Sequence, residues 1–389
     1  MKGKTPFIVY PAFSIFQNDT NMKTSWLAGL IFLSMLPIGA TAQDKGIDDF
    51  SKNESICYCM PNWSTPNNVV GFDNNWQLLR AMQVPRSKKE LDSLGIPCTY
   101  SQLQLLRDWG LIERNEDDRY QTAILLLDSA ATARLRAHSR RLSDELVGVI
   151  RPSVADYVRL LERDGLGGHA YSLLFSLVTD GLTWTRLEAD GRVRKRELKL
   201  EHPMWDGEFW TLYPKRDFYC GTNTDVYGTY IFFFNWSEGA MRKMRPFLRR
   251  MDLLPRMCDD LSKSDRVSDA EVIAGLSPFG LVDGKGRPTV PVIGLDTTDA
   301  IYAASWKMAG AIADFLASHV DTAALRKEFG FADGSQSIVI LYHEMLWDVL
   351  ARLEQAGLVK RPAIFADPEH ARPEEFGKVI FLTRSAAEK

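Results

Sequence analysis

Two helix-start patterns stand twelve residues apart in the stretch 87–102, and they constrain the local fold more than any other feature of the chain. Ser87-Lys88-Lys89-Glu90 and Thr99-Tyr100-Ser101-Gln102 both follow the capping-box pattern. In it a hydroxyl accepts from an early helical amide while the side chain three residues on reaches back. Helices are therefore expected to open at both points. The first is short and stops at Gly95, and Ile96-Pro97-Cys98 makes the turn between them. The second buries Leu103, Leu106 and Trp109 and ends at Gly110, the residue best able to take the left-handed position after a helix. Upstream, residues 75–82 suit another helix. Downstream, residues 111–114, a polar turn at 115–118 and residues 120–127 read as a hairpin.

Helix, short helix, turn, helix, hairpin is the order of a winged helix-turn-helix, and residues 74–128 resemble that superfamily in pattern. The resemblance implies that helix 100–109 stands where a DNA-reading helix would lie in the major groove. That helix offers Ser101, Gln102, Gln104 and one basic residue, Arg107, followed by Asp108. The hairpin tip carries Glu116, Asp117 and Asp118, the wrong sign for phosphate. The whole chain has 47 Lys and Arg against 50 Asp and Glu, without the basic excess of a dedicated nucleic-acid binder. Nucleic acid is disfavoured as a partner, and a protein surface is the expected one. Fold alone does not fix function.

The ending of this unit recurs at Gly110-Leu111, Gly181-Leu182, Gly280-Leu281 and Gly357-Leu358, each after a helix-compatible stretch and before a turn. The pattern reads as a helix–Gly–Leu–hairpin module, although glycine ends many helices and part of the recurrence is coincidence. A capping box at 268–271 precedes the third copy. The fourth follows an amphipathic helix bearing Ile338, Leu341, Met345, Leu346, Val349 and Leu353, and its return strand is expected at 378–383. Other helices are expected at 130–147, 153–164, 238–261 (interrupted by Pro246 and Pro255) and 300–319.

Residues 205–236 are dense in aromatics. Residues 208–213 and 229–235 read as strands, with a loop holding Gly221, Asn223, Asp225 and Gly228 between them. His202, Asp206 and Glu208 lie beside Trp205 and Trp210, and Asp206 and Glu208 share one strand face. These three are the candidate catalytic residues of an exported hydrolase, one alternative function. No complete motif supports it. His343-Glu344 has Trp347 where a zinc-protease helix needs its second histidine. Ser277 has Gly275 before it but Phe279 where the nucleophile elbow needs glycine. Gly284-Lys285-Gly286 is a turn, and the glycines of 165–168 precede a helix instead of following a strand. The six histidines are scattered, and neither a metal site nor a cofactor is expected.

A second alternative is a protein binding nucleic acid or another polyanion. Its candidate residues are Arg192, Arg194, Lys195 and Arg196 in one cluster and Arg242, Lys243, Arg245, Arg249 and Arg250 in another. Arg134, Arg136, Arg140 and Arg141 form a third. A polyanion site would bring these to one face; otherwise such runs are solvated surface.

The N-terminus sets the compartment. Met22-Lys23 opens a short basic stretch, residues 27–38 are an almost unbroken apolar run, and Ala40-Thr41-Ala42 has the small-x-small pattern of a cleavage site. Residues 1–21 read as an upstream extension. The apolar run is short for a membrane span and no second one follows. Removing residues 1–42 leaves 44 basic against 49 acidic residues, a mildly acidic mature chain at −5. Its five cysteines are too sparse and too odd in number for a disulfide framework, and Cys57-x-Cys59 reads as incidental.

The expected fold class is α+β, helix-rich, with winged-helix-like units and a central aromatic-rich antiparallel β element. The expected divisions are a signal peptide (1–42), an irregular lead-in (43–72), a winged-helix domain (73–150), a central α+β region (151–320) and a C-terminal winged-helix-like domain (321–389). The leading function is an exported, secreted or periplasmic, non-enzymatic binding or scaffold protein.

Overall fold

The computed structural model describes residues 49–61, 65–200 and 204–385; the stretch 1–42, expected as a signal peptide, and His202 lie outside the described residues. The fold is α+β and helix-rich. Its first strand, β1 (Glu54–Pro61), falls where an irregular lead-in is expected, and a short helix α1 (Asn67–Val70) follows. Helices α2 (Asn75–Ala81), α3 (Lys88–Ser93) and α4 (Tyr100–Asp108) precede a hairpin of β2 (Ile112–Arg114) and β3 (Tyr120–Thr122). The Ser87 box closes fully, with Glu90 N donating to Ser87 Oγ and Ser87 N donating to Glu90 Oε2 at 2.7 Å. At α4 Thr99 caps Gln102 N, but the Gln102 amide turns away to Asn74 and Asn75.

Strand β4 (Leu125–Leu127) leaves that hairpin and pairs in parallel with β5 (Trp205–Leu212), whose other edge takes β1 antiparallel. The resulting β1-β5-β4 sheet is buried on both faces. Successive side chains of a strand point to opposite faces. Cys57 and Cys59 with Leu126 and Phe209 therefore face a smaller core built from α1 to α4. Ile56, Tyr58, Leu127, Trp210 and Leu212 face the larger core, which runs without interruption through residues 127–382.

Helix α5 (Ser129–Arg163) is one element, not the two expected, and passes through Pro152. Helix α6 (residues 170–189) contains a ten-residue π-helical stretch, Leu173–Leu182, all of it buried. Gly181 lies inside that stretch and does not end a helix. A β-carbon there would meet the Ser176 carbonyl at 2.7 Å, so the wide turn requires glycine.

The larger sheet has the order β6-β7-β9-β8. Strands β6 (Cys220–Tyr227) and β7 (Tyr230–Ser237) form a hairpin turning at Gly228, whose φ is +60°. The stretch expected as a loop is thus strand β6. Helices α7 (Glu238–Leu248), α8 (Leu254–Lys263) and α9 (Ala270–Leu276) follow, with Asp269 and not Ser268 capping α9. After Gly280 a short turn closes with Val282 opposite Pro288, and the chain enters β8 (Val292–Gly294). Helices α10 (Ala300–His319), α11 (Thr322–Phe329), α12 (Gly334–Gln355) and α13 (Ala363–Ala366) lead to β9 (Ile380–Arg384). That last strand pairs with β7 and β8, not with the residues after Gly357. Among the described residues no helix is long and apolar enough to cross a membrane.

Candidate ligand-binding site

The residues singled out in the first basic cluster and the two described candidate carboxylates meet in one place. Helix α6 ends at Asp190-Gly191, and Gly191, with φ +64°, turns the chain outward along the free end of β5. Three polar contacts then fix residues 192–197. Arg194 N donates to Ser335 Oγ at 2.8 Å, Arg194 Nη2 donates to Glu208 Oε1 at 3.3 Å, and Glu197 N donates to Asp206 Oδ2 at 2.8 Å. Glu208 also accepts from Gln336 Nε2 at 2.8 Å, and burial raises its pKa. Asp206 and Glu208 do share a strand face, but both are occupied in holding this segment down.

The segment separates two cavities. The larger, about 500 Å³, is lined by Arg192 and Arg194, by Leu316 of α10 and Val320 just after it, and by Gly334 and Ser335 at the start of α12. The smaller, about 150 Å³, is lined by Met60, Glu188, Lys195, Arg196 and Glu197. Arg196 is 4% exposed. Its Nε donates to Glu188 Oε1 at 2.9 Å, and its guanidinium lies 4.1 Å from the centroid of the Tyr58 ring. Tyr58 Oη donates to the same Glu188 oxygen at 2.6 Å, and burial pushes the Tyr58 pKa upward.

The second basic cluster is placed differently. Arg242, Arg245 and Arg249 are exposed along α7, Lys243 pairs with Glu369 at 2.9 Å, and Arg250 lies half-buried against Gly275. In the third, Arg136 enters the interior. Its Nε donates to Glu344 Oε2 at 2.7 Å and its Nη2 to Glu54 Oε2 at 3.1 Å, while Arg216 bonds Glu344 at 2.8 Å and Asp348 at 3.1 Å. Two guanidinium groups thus face three carboxylates. Burial, with Glu344 beside it, raises the Glu54 pKa above the usual carboxylate range, so Glu54 holds a proton more readily than a free carboxyl. The network joins β1, α5 and α12, and no residue type or spacing in the sequence marks Glu54 or Arg216 for it.

His343 is enclosed by Trp184, Trp210 and Tyr58, with ring centroids 4.7, 5.1 and 6.1 Å away. Burial pushes its pKa down to about 3, which keeps the ring neutral. His169 is likewise held at about 3. Among the described residues no three His, Cys, Asp or Glu side chains are grouped to hold a metal ion.

The fold and site together define an α+β chain with two small clefts on either side of a basic connecting segment. Comparison with protein families, curated proteins and solved structures finds no match for the chain.

Proposed function

We propose that the chain is an exported, non-enzymatic binding or scaffold protein whose three-helix unit at α2 to α4 is the surface that meets a protein partner. One observation carries this reading. Of the nine large apolar side chains exposed among the described residues, five (Phe72, Val84, Leu94, Tyr100 and Leu105) fall within residues 72–105. Tyr100 and Leu94 are 66% and 52% exposed and belong to the α3–α4 pair. Apolar side chains concentrated in one region mark contact surfaces, whereas scattered ones carry no meaning. Charge argues for protein over nucleic acid, because Arg107 stands beside Asp108 and the hairpin tip is acidic.

The alternatives have less support. Asp206 and Glu208 are tied into the chain's own contacts. Much of the basic charge is neutralised nearby, with Lys195 paired to Glu197, Arg196 to Glu188 and Arg194 to Glu208.

A photo-crosslinking amino acid placed at Leu105 in the natively secreted protein is expected to trap one defined protein, and Tyr100→Asp to reduce the yield at least tenfold with circular dichroism unchanged. Absence of any adduct at Leu105, or an adduct indifferent to Tyr100→Asp, sinks the contact surface. Edman sequencing of the native material is expected to begin at Gln43; a cytosolic protein retaining residues 27–38 would remove export from the reading.

A further inference from the structure

We propose that the small cleft floored by Arg196 and Glu188 is a binding site for a free α-amino acid of small side chain. The argument begins with what the two groups leave unused. Arg196 spends its Nε on Glu188 Oε1, and Glu188 spends Oε1 on Arg196 and Tyr58. Nη1 and Nη2 of Arg196 and Oε2 of Glu188 make no hydrogen bond among the described residues. None of the three is sealed from solvent, and both residues line the cleft. Arg196 is 4% exposed overall, yet solvent reaches its two outer nitrogens, so the protein holds the fork in place with that edge free to meet a ligand. The face of that guanidinium is already covered by Tyr58, which holds the plane in one orientation.

Those loose ends define the ligand chemistry. The Nη edge of arginine presents two parallel N–H donors that match a carboxylate in bidentate fashion. Glu188 Oε2 is an acceptor with negative charge, suited to an ammonium group. Among the described residues that line the cleft, Glu188 and Glu197 balance Lys195 and Arg196. A neutral molecule with separated charges fits that balance, and a simple anion does not. The volume of about 150 Å³ is roughly five times a water molecule's share of the liquid, room for a small amino acid. Met60 supplies the apolar wall for the side chain.

The site is anchored from both sides. Glu188 lies in the last turn of α6, and Glu197 N is fixed to Asp206 Oδ2, so residues 195–197 cannot swing away without breaking that bond. The cleft would open and close little on binding.

The test is calorimetric titration of the full chain with L-alanine, L-serine and L-valine, with sodium acetate and ethylammonium chloride as half-molecules. At least one amino acid is expected to bind at least tenfold more tightly than either half. The Arg196 side-chain Nε–Hε resonance is expected to shift on addition of that amino acid. Met60→Trp fills the cleft without touching the ion pair and is expected to abolish binding while leaving Tm within a few degrees. Arg196→Lys, which removes the fork, is expected to weaken binding at least tenfold. Acetate binding as tightly as the amino acids overturns the proposal in favour of a plain anion site. Heat from none of the probes, or binding unchanged in Met60→Trp, overturns it outright.

Discussion

Asp180 sits on the buried π-helical stretch of α6, where Trp184 Nε1 reaches its Oδ1 at 3.3 Å. Burial raises its pKa to about 7, from 3.8 in the unfolded chain. The folded state therefore binds this proton more tightly. The stability it contributes is fully present below about pH 4 and is lost as pH rises through 7. Asp225, raised to about 6 by burial, acts in the same direction over a lower window. The neutral histidines 169 and 343 act oppositely, since their depressed pKa values give stability present above about pH 6.5 and lost as pH falls toward 3. Asp180→Asn imitates the protonated carboxyl without its titration. The Tm of this variant relative to the parent is expected to rise between pH 5 and pH 8, because only the parent must ionise a buried group over that range. One pKa unit corresponds to about 1.4 kcal/mol, and each kcal/mol to roughly 2–4 °C in a chain of this size or somewhat smaller. A gain of several degrees follows. Both proteins carry both histidines, so their contribution cancels in the comparison. An equal difference at the two pH values, measured by circular dichroism melts, would show that Asp180 ionises freely in the fold.

Helix α5 holds a proline in its interior, where the missing N–H and the clash with the carbonyl four residues back ordinarily kink or break a helix. The residue four back is Gly148, and both it and Pro152 lie on the exposed side. Buried Val147, Ile150, Val154, Tyr157 and Leu161 carry the packing straight through, against α10 and α12. Packing on the inner face overrides a local preference on the outer one. Replacing Pro152 with Ala is expected to stabilise the protein by about 1–3 kcal/mol, since proline costs about 3 kcal/mol relative to alanine in a helix interior. A urea midpoint that stays the same or falls would mean that Pro152 costs α5 nothing. That continuous apolar spacing is present in the sequence across the gap between the two expected helices. The capped helices α3 and α4 were legible because capping is local chemistry written within four residues. Strand β1 was not, because a strand buried on both faces has no polar–apolar alternation to show. Strand β6 was hidden for a related reason. Its Thr222 is a polar side chain in a buried network with Ser176 and Asn235, so it resembles a loop residue by type alone. The pairing of β9 with β7 joins residues about 150 apart, beyond any local pattern. At the site, the basic cluster and the shared face of Asp206 and Glu208 were visible as residue types. Glu188, Tyr58 and Met60 were not, because their role comes from three distant segments meeting.

The β1-β5-β4 sheet is a wall with a core on each side, and every second residue of β1 belongs to a different one. Losing the strand exposes Cys57 and Cys59 to one side and Ile56 and Tyr58 to the other, so neither core can open without stripping the other of its lining. Glu54, at the start of the same strand, is tied by Arg136 into the buried ionic network with α5 and α12. The molecule is therefore expected to unfold in a single cooperative step despite its length, in contrast to chains whose domains share little contact. Its five cysteines report on this directly. All are unpaired thiols and all are buried, with Cys57, Cys59 and Cys98 in the smaller core and Cys220 and Cys258 in the larger. Burial raises the pKa of Cys98, and raises that of Cys258 to about 12, so little thiolate forms to react. The same seclusion would keep these thiols reduced in an oxidising compartment. A thiol reagent at pH 8 is expected to leave the native protein unlabelled. Across a urea series all five sites should become reactive at one midpoint, the Cys98 peptide together with the Cys258 peptide when labelling is read by mass spectrometry. Labelling of Cys57, Cys59 and Cys98 at a lower urea concentration than Cys220 and Cys258 would show instead that the three-helix unit opens alone, and that the shared sheet does not couple the two cores.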